Sequence, residues 1–335
     1  MSVRVGINGF GRIGRDYLRA VLERPESGIE VVAINDIAAP ATLAHLLKYD
    51  STYGPLKEYV GHTDTAVVVG DKTIQATAER DPALINWGAA GVDIVIEATG
   101  KFRTRATAGA HLSSGVRKVL LSVPGKDVDV TVVLGVNDSD YDPATHDVIS
   151  NASCTTNCVA PMVSVLHQAF GVERGLMTTI HSYTNDQVLL DSPHKDLRRG
   201  RSGAANLIPT STGAARAVGL VIPDLAGKIE GVAVRVPVED GSLTDLTVQL
   251  EEAVSADEIN QAFADAAGGQ LKGILRYTED PIVSHDIIGD PASCIFDSQL
   301  TQVQDRMVKV FGWYDNEWGY TSRLVDLTEL VAGSL

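Results

Sequence analysis

The sequence predicts two domains: an α/β domain built on a doubly wound parallel sheet, followed by an α+β domain with a mostly antiparallel sheet. Three observations support this fold class. The chain has 335 residues, enough for two domains of ordinary size. Its first 150 residues alternate β-branched runs with helical patterns, which is typical of a parallel sheet. Near Ser150 this alternation stops, and alternating strand patterns predominate from there on.

The first domain is predicted to span residues 1–150, because strand and helix patterns follow one another throughout it. Strands are expected at residues 3–8, 29–35, 93–99, 118–123 and 131–136, and helices at 12–23, 41–49 and about 104–114. Residues 56–77 look like short hairpin strands that are inserted into this order.

The second domain is predicted over residues 151–316. Helices are expected at 154–169 and 256–267, and strands at 176–182, 231–238, 242–250 and 308–313. Residues 183–209 are polar and lack periodicity, and a loop of that length is commonly functional. The tail, residues 317–335, has a helical spacing of apolar side chains, so we expect it to pack back on the first domain.

The composition excludes several classes of protein. Hydrophobic residues make up 44% of the chain, enough for a packed core, and the formal net charge of −15 argues against binding to nucleic acid or to anionic membranes. Three cysteines do not make a disulfide framework, and the sequence shows neither a signal peptide nor an apolar run of about 18 residues. A cytoplasmic protein with reduced thiols is therefore expected.

A glycine-rich motif near the N-terminus predicts a dinucleotide site. Gly9, Gly11 and Gly14 form G-x-G-x-x-G between a predicted strand and a predicted helix, where the backbone and the helix N-terminus can hold a pyrophosphate. Asp36 ends the second predicted strand, where a carboxylate binds a ribose 2′-hydroxyl and repels a 2′-phosphate. NAD is therefore favoured over NADP. The alternatives are a purely structural glycine turn and a surface position for Asp36.

Cys154 is the candidate nucleophile. Ser153 precedes it as a helix cap, which places Cys154 in the first turn, where the helix dipole favours a thiolate by about 0.3–1 kcal/mol or more. Cys158 lies one turn further and is predicted to be buried and unreactive. The alternatives are an inert core cysteine and a metal ligand. A C-x3-C pair with the distant Cys294 does not match a zinc framework, so no metal is expected.

Several long motifs together point to a family. They occupy residues 6–15 (GINGFGRIGR), 150–158 (SNASCTTNC), 181–184 (HSYT), 193–199 (PHKDLRR), 210–216 (TSTGAAR) and 313–320 (WYDNEWGY). With these motifs in order from about residue 2 to residue 331, the chain resembles the glyceraldehyde-3-phosphate dehydrogenases. The resemblance implies a glycolytic oxidoreductase that converts D-glyceraldehyde 3-phosphate to 1,3-bisphosphoglycerate with NAD and inorganic phosphate, on a Rossmann domain and a catalytic domain.

The resemblance also implies the roles of two residues. Cys154 attacks the aldehyde to give a thiohemiacetal, hydride transfer converts this to a thioester, and phosphate then cleaves the thioester. His181 ends the strand after the cysteine helix, so it can meet Cys154 in space. As an imidazolium it would lower the pKa of the thiol, and as a base it would take the hydroxyl proton. A structural or surface histidine is the alternative.

The remaining site residues are implied by the resemblance. The resemblance assigns the substrate phosphate to Thr184 and Arg235. It assigns the attacking phosphate to Ser153, Thr155, Thr212 and Gly213, with Arg199 nearby. The residues that it assigns to NAD, in addition to the motif glycines, are Arg12, Ile13, Asp36, Arg80, Ser122 and Asn316. A solvated position for Arg199 and a structural ion pair for Arg235 are the alternatives. The segment 183–209 resembles an intersubunit loop of the family, which implies a homotetramer.

The chain departs from the commonest family pattern in a few places. Residues 101–104 and 121–126 differ along the nicotinamide side, and Ser192 weakens the expected discrimination against NADP. Within the family, an erythrose-4-phosphate dehydrogenase or an inhibitor-tolerant second isozyme of the same activity are the alternatives. Outside it, a non-catalytic NAD-binding protein and a Cys–His hydrolase without a redox step are the other classes considered.

Overall fold

A computed structural model describes residues 2–335, which divide into two compact units. Residues 2–132, 139–152 and 321–335 form the first unit, and residues 133–138 and 153–320 form the second. Residues 133–138, which the sequence pattern places in the first domain, thus belong to the second unit. Within the described residues, no helix is long and apolar enough to cross a membrane.

The first unit is built on one parallel sheet. Its strands are β1 (Val3–Asn8), β2 (Ile29–Asn35), β3 (Val60–His62), β4 (Ala66–Val69), β5 (Lys72–Thr77), β6 (Ile94–Glu97), β7 (Lys118–Leu121), β8 (Val130–Thr131) and β9 (Val148–Ser150). The order across the sheet is β3-β4-β5-β2-β1-β6-β7-β9-β8. Only the β3–β4 and β4–β5 pairs of this path are antiparallel. The parallel sheet and the inserted hairpin strands are therefore as predicted.

The central strands of this sheet are buried on both faces, which explains their nearly continuous apolar sequences. Every residue of β6 and of β7 is buried. The helices of the first unit are α1 (Arg12–Leu22), α2 (Pro40–Lys48) and the short α3 (Arg105–Ala108). Helix α1 directly follows the glycine-rich motif, so the predicted strand–turn–helix arrangement is present.

Two predicted elements of the first domain are shorter than expected. The strand expected over 131–136 ends with β8, because the chain then turns: Val136 N–H donates to the Val133 carbonyl and Val133 N–H to Asn137 Oδ1 (2.8 Å). The helix expected over 104–114 changes to a 3₁₀ helix at Gly109–Ser114. There the Ser113 and Ser114 hydroxyls bond to backbone carbonyls and compete with the helical pattern.

The second unit contains a mostly antiparallel sheet. Its strands are β10 (Val172–Ser182), β11 (Ile208–Ser211), β12 (Ile229–Val236), β13 (Ser242–Leu250), β14 (Leu275–Thr278), β15 (Cys294–Asp297), β16 (Gln302–Gln304) and β17 (Met307–Tyr314). The order is β11-β12-β10-β13-β17-β15-β14, and β16 pairs with β17. Only the β10–β12 and β14–β15 pairs of this sheet, within residues 2–335, are parallel. The predicted fold class is therefore confirmed.

Helices cover one face of this second sheet. They are α4 (Cys154–Phe170), α5 (Ala214–Val221) and α6 (Ala256–Gly268), and they contribute Val159, Val163, Val218 and Phe263 to the core. Phe263 stacks on Phe296 of β15 with ring centroids 3.8 Å apart. The strict alternation of buried and half-buried residues along β13 shows that its other face is not covered in the same way.

The last helix, α7 (Trp318–Ala332), follows β17 directly. Its C-terminal part is bonded within the first unit: Tyr17 Oη lies 3.0 Å from Thr328 Oγ1, and Arg24 Nη1 lies 2.5 Å from Asp326 Oδ1. Leu324, Val325 and Leu327 of this helix are buried. Its apolar spacing, read from the sequence, therefore corresponds to a buried face.

Candidate active site

Cys154 lies at the N-terminus of α4, as predicted. Ser153 is the N-cap, since its Oγ accepts the Thr156 N–H (3.1 Å) and lies 2.7 Å from Thr156 Oγ1. Cys154 is partly exposed, whereas Cys158 and Cys294 are fully buried. Within residues 2–335 no group of three His, Cys, Asp or Glu side chains is arranged to hold a metal ion. Cys154 is thus the partly exposed cysteine at this helix N-terminus.

The sheet brings His181 to this thiol. His181 is the penultimate residue of β10, and its Nε2 lies 3.4 Å from Cys154 Sγ. The imidazole is buried and stands edge-on to the ring of Tyr314, with centroids 5.9 Å apart. A base within reach of a thiol is the arrangement that nucleophilic catalysis needs.

The parallel pairing of β10 with β12 places Arg235 directly opposite His181. Arg235 Nη1 lies 3.0 Å from the Ser182 carbonyl oxygen and 2.7 Å from His181 Nδ1, and that same carbonyl lies 2.7 Å from Nδ1. The sequence leaves open whether Arg235 forms an ion pair. Among the described residues no carboxylate lies within ion-pair distance of it, so its charge is available to an anion.

Burial, then the positive charge of Arg235, lowers the pKa of His181 to about 3. Burial also raises the pKa of the Cys154 thiol, although the charge of Arg235 opposes that shift. Both shifts favour the uncharged forms of the two side chains. Burial, together with an arginine that has no neighbouring carboxylate, thus disfavours the imidazolium that is expected from the sequence.

Two groups compete for His181 Nδ1. If the Ser182 carbonyl accepts a proton from Nδ1, Nε2 is unprotonated and faces the thiol as a base. Arg235 can only donate, so its contact with Nδ1 favours the opposite tautomer. An anion that binds Arg235 would draw the guanidinium towards itself and favour the basic Nε2.

Tyr314 is a site residue that the sequence argument did not single out. Its hydroxyl lies 2.9 Å from Thr155 Oγ1 and 2.7 Å from Thr179 Oγ1, so it joins the first turn of α4 to β10. Burial raises the pKa of Tyr314 above its ordinary value, so the hydroxyl stays protonated. The sequence signal for Tyr314 is its inward position on a strand whose residues alternate between buried and less buried.

Arg199 is held in place rather than solvated. Its guanidinium donates to Thr210 Oγ1 (2.9 Å), Asp186 Oδ2 (2.5 Å) and the Ser211 carbonyl (3.1 Å). Its charge is also among those that lower the pKa of His181, which places it in the same electrostatic environment. The alternative of a solvated loop residue is therefore disfavoured.

The other predicted phosphate ligands lie at chain turns. Gly213 is the N-cap of α5 and has no side chain to cap that helix. Thr212 Oγ1 accepts the Ala214 N–H (3.2 Å). Thr184 lies just beyond β10, where its backbone N–H donates to Gln187 Oε1 (2.9 Å). The N–H groups at the start of α5 are suited to an anion.

The first unit contains a cleft of about 320 Å³ at the glycine-rich motif. It is lined by Asn8, Gly9, Gly11, Asn35, Asp36, Ile37, Glu79, Arg80, Ala98, Thr99, Lys101 and Phe102. Four of the predicted cofactor residues, Gly9, Gly11, Asp36 and Arg80, therefore line one cleft. Lys101 and Phe102, from a stretch that departs from the family pattern, line it too. The other predicted cofactor residues do not line this cleft. Those in the first unit are Arg12, Ile13, Gly14 and Ser122, whereas Asn316 belongs to the second unit.

The three glycines of the motif are required for different reasons. Gly9 has φ +91°, and a Cβ on Gly14 would lie 2.2 Å from the Gly9 carbonyl oxygen, so the fold itself requires both. A Cβ on Gly11 would meet nothing within 4 Å. Gly11 is also the N-cap of α1, with no side chain bonded to the helix N–H groups. A helix N-terminus without a side-chain cap, beside open space, fits a dinucleotide pyrophosphate.

The remaining predicted cofactor residues have defined partners. Asp36 Oδ2 accepts the Phe10 N–H (2.8 Å) and Oδ1 accepts the Ala38 N–H (3.0 Å), so its carboxylate is fixed at the edge of the cleft. The guanidinium of Arg12 pairs with Asp50 and lies over the ring of Tyr53.

Ser122 directly follows β7. Its Oγ donates to the Glu97 carbonyl (3.2 Å), and the residue is buried. These bonds fix Ser122 at the end of β7.

A buried network beneath the cleft was also missed by the sequence argument. Glu97 Oε2 accepts from Asn8 Nδ2 (2.6 Å) and lies 2.9 Å from His111 Nε2. Trp87 Nε1 lies 3.0 Å from His111 Nδ1, and an indole can only donate, so Nε2 carries the proton that bonds Glu97. This network fixes Asn8, which lines the cleft. It also fixes Thr99, another lining residue, because the Thr99 N–H donates to Glu97 (2.9 Å).

Near Asn316 the second unit buries two hydrogen-bonded carboxyl groups, Asp240 and Asp315. Asp315 already accepts the N–H groups of Gly289 (2.7 Å), Glu317 (2.9 Å) and Trp318 (2.7 Å), so it is the ionised partner. The proton between the carboxyls therefore belongs to Asp240. Burial, with the negative charges of Asp315 and Glu317, raises the pKa of Asp240 to about 9.

This proton makes stability depend on pH. Asp240 is protonated in the folded protein up to about pH 9 but ionises near its ordinary pKa of about 4 when unfolded. The folded state binds the extra proton in that range, so the free energy of unfolding falls as pH rises through it. We expect Asp240→Asn to show a smaller fall between pH 5 and pH 9 in urea unfolding. Exposed Glu252→Gln is the control, and a parallel pH dependence of D240N and wild type would contradict this assignment.

Two family models and several curated proteins match this chain. The family model of the glyceraldehyde 3-phosphate dehydrogenase NAD-binding domain matches residues 3–105. The family model of the glyceraldehyde 3-phosphate dehydrogenase C-terminal domain matches residues 153–316. The chain is 61% identical to the glyceraldehyde-3-phosphate dehydrogenase of Streptomyces coelicolor and 60% identical to glyceraldehyde-3-phosphate dehydrogenase 2 of Streptomyces avermitilis. It is 58% identical to the glyceraldehyde-3-phosphate dehydrogenase of Mycobacterium tuberculosis. Each of these matches covers the full length of both chains.

These matches confirm the family, the enzyme class and the cofactor that the sequence motifs predicted. They cover both units and extend over all the motifs on which the resemblance was based. The chain belongs to the glyceraldehyde 3-phosphate dehydrogenase family, whose members use NAD.

Proposed function

We propose that this chain oxidises D-glyceraldehyde 3-phosphate to 1,3-bisphosphoglycerate, with NAD and inorganic phosphate, in the cytoplasm. The observation that carries the proposal is the contact of 3.4 Å between Cys154 Sγ and His181 Nε2, beside the unpaired charge of Arg235. It supplies a nucleophile, a base and an anion ligand for one substrate. The comparisons do not favour oxidation of erythrose 4-phosphate instead.

The first step forms a bond between Cys154 Sγ and the aldehyde carbon. The thiol proton passes to His181 Nε2 and from there to the carbonyl oxygen, which gives a neutral thiohemiacetal. Burial, with the charge of Arg235, favours the unprotonated imidazole, and its Nε2 lies 3.4 Å from the thiol that gives up this proton.

In the second step His181 takes the hydroxyl proton of the thiohemiacetal as a hydride leaves the same carbon. NAD, when bound, accepts this hydride and is reduced to NADH. The product on the protein is a thioester of Cys154, with His181 as an imidazolium. A phosphate oxygen then attacks the thioester carbon, the C–S bond breaks, and Cys154 recovers its proton from His181 as the acyl phosphate leaves.

Two anions must be held for this sequence. Arg235 and Thr184 would bind the phosphate of the substrate, which is supported by the absence of a carboxylate partner for Arg235. The attacking phosphate would bind Ser153, Thr155, Thr212 and Gly213, with Arg199 nearby, and the position of Gly213 as the N-cap of α5 supports this. Arg is suited to both roles because it is permanently charged and donates in a fork.

The cleft of the first unit would hold the dinucleotide. The N–H groups at Gly11 would face the pyrophosphate, and Asp36 would bind the ribose 2′-hydroxyl. Gly9, Arg12, Ile13, Gly14, Arg80 and Ser122 would complete the site, while Asn316 would bind the nicotinamide carboxamide.

A homotetramer is proposed as the assembly. The segment 183–209 carries leucines with unusually high exposure, Leu189 at 80% and Leu197 at 85%, although it is held by bonds such as Arg201 Nε to Asp191 Oδ2 (2.7 Å). Leu176 and Val232 are also exposed on the uncovered face of the second sheet. Apolar side chains on ordered surfaces are typical of subunit contacts.

The activity is tested by absorbance at 340 nm with D-glyceraldehyde 3-phosphate, in the presence and absence of phosphate, with either NAD or NADP. We expect rapid formation of NADH that depends on phosphate. Cys154→Ala should retain NAD binding and lose turnover. Equal rates with NADP would contradict the role of Asp36, and absence of reduction with both cofactors would contradict the proposed reaction.

His181→Asn removes the base but keeps a similar volume and a polar group. We expect kcat to fall by about 10²- to 10⁴-fold, because a positioned general base contributes this much. The same assay under saturating NAD measures it. Exposed His285→Asn is the control and should be active. A kcat of H181N within a few-fold of wild type would exclude His181 as the base.

Alanine at Gly11 and at Gly14 separates cofactor binding from folding. Gly11→Ala should leave the Tm unchanged, because open space surrounds the added Cβ, but should weaken NAD binding by filling the space for the pyrophosphate. Gly14→Ala should lower the Tm, because its Cβ would meet the Gly9 carbonyl at 2.2 Å. Calorimetric titration with NAD and thermal melts distinguish the two effects. Wild-type affinity in G11A would contradict this site.

A further inference from the structure

Asn316 is held at its oxygen by one hydroxyl group. Ser242 Oγ lies 2.6 Å from Asn316 Oδ1, and both residues are buried. The same Oγ accepts the N–H of Ser182 at 3.1 Å. Ser182 directly follows His181, so a single serine joins the residue next to the base to the side chain of Asn316.

The direction of these bonds is fixed by chemistry. A backbone N–H can only donate, so Ser242 Oγ must accept from Ser182 and has its own proton available for another group. That proton has a carbonyl oxygen, Asn316 Oδ1, at 2.6 Å. If the amide were turned round, two donors would face Oγ and the hydroxyl proton would have no acceptor there. Oδ1 is therefore the end of the amide that faces Ser242, and Nδ2 is the end that remains for a ligand.

The backbone on both sides of this contact is also fixed. Asp240 bonds Asp315, and the two carboxyls stand one residue before Gly241 and Asn316 respectively. Gly241 has φ +87°, and a Cβ there would lie 2.3 Å from the Ser284 carbonyl oxygen, so this turn admits only glycine. Asp315 in turn fixes the turn into α7 by accepting the Glu317 and Trp318 N–H groups. The hydroxyl of Ser242 thus meets Asn316 between two constrained turns.

We propose that Ser242 is a positioning residue for the nicotinamide: its hydroxyl holds the Asn316 carboxamide so that Nδ2 is presented as the donor. This rests on the proposed binding of the nicotinamide by Asn316. Ser242 itself touches no reacting atom. It acts through Asn316, and its bond from Ser182 ties that orientation to the strand that carries His181.

The test measures binding of NAD and of ADP-ribose, which lacks the nicotinamide, by calorimetry. Ser242→Ala removes the hydroxyl, so we expect the Kd for NAD to rise about tenfold, the effect of one buried hydrogen bond with its unpaired partner. The Kd for ADP-ribose should remain within about twofold of wild type by the same argument. Ser298→Ala, which removes another buried hydroxyl of the second unit that bonds a carbonyl at 2.8 Å, is the matched control and should not change either Kd.

A double-mutant cycle with Asn316→Ala decides whether Ser242 acts through that residue. We expect S242A to have no further effect on NAD binding in the N316A background. Equal effects of S242A in both backgrounds, or an equal loss of ADP-ribose affinity, would overturn the inference and leave Ser242 with a structural role. If N316A binds NAD like wild type, the proposed role of Asn316 fails first, and the inference fails with it.

Discussion

The contact between Cys154 and His181 depends on two element ends that meet in the second unit, the N-terminus of α4 and the C-terminal end of β10. The Ser153 cap fixes the first of these, and the pairing of β10 with β12 and β13 on its two sides fixes the second. Tyr314 then joins them, because its hydroxyl reaches a threonine on each element. A thiol and a base are held together by the sheet rather than by a flexible loop, which is what positioned catalysis requires.

The electrostatics of this site follow from burying a cation beside it. The register of β12 on β10 puts Arg235 opposite His181, and no carboxylate of the described residues neutralises the guanidinium. Its charge lowers the pKa of the imidazole and opposes the rise in the pKa of the thiol that burial causes. The same unbalanced charge makes an anion favourable here, so the geometry that keeps the histidine neutral also attracts a phosphorylated substrate.

The cofactor cleft and the Asn316 region use glycine and buried polar groups in a related way. At Gly9, Gly14 and Gly241 the surrounding backbone leaves no room for a side chain, so these glycines serve the fold. Gly11 differs, since the protein leaves open space there. Around Asn316, two buried acceptors have hydrogen-bond donors: protonated Asp240 donates to Asp315, and the Ser242 hydroxyl donates to Asn316 Oδ1. Without these donors, burying the two acceptors would cost free energy. Fixed backbone and fully bonded polar side chains thus define where a ligand can bind.

The sequence by itself determined the parallel first sheet, the mostly antiparallel second sheet, the family and the cofactor, because these follow from periodicity and from long contiguous motifs. It also placed Ser153 as a cap and Cys154 in the first helical turn, since capping is local. The strand expected over 131–136 failed where the Val133–Asn137 turn competed with it, and the lowered pKa of His181 has no local signal because it depends on burial and on Arg235.

Only the tertiary structure decided that Arg235 lies opposite His181, that Tyr314 joins α4 to β10, and that Ser242 holds Asn316. Each of these contacts joins residues far apart in the chain through strand register, which no local pattern reveals.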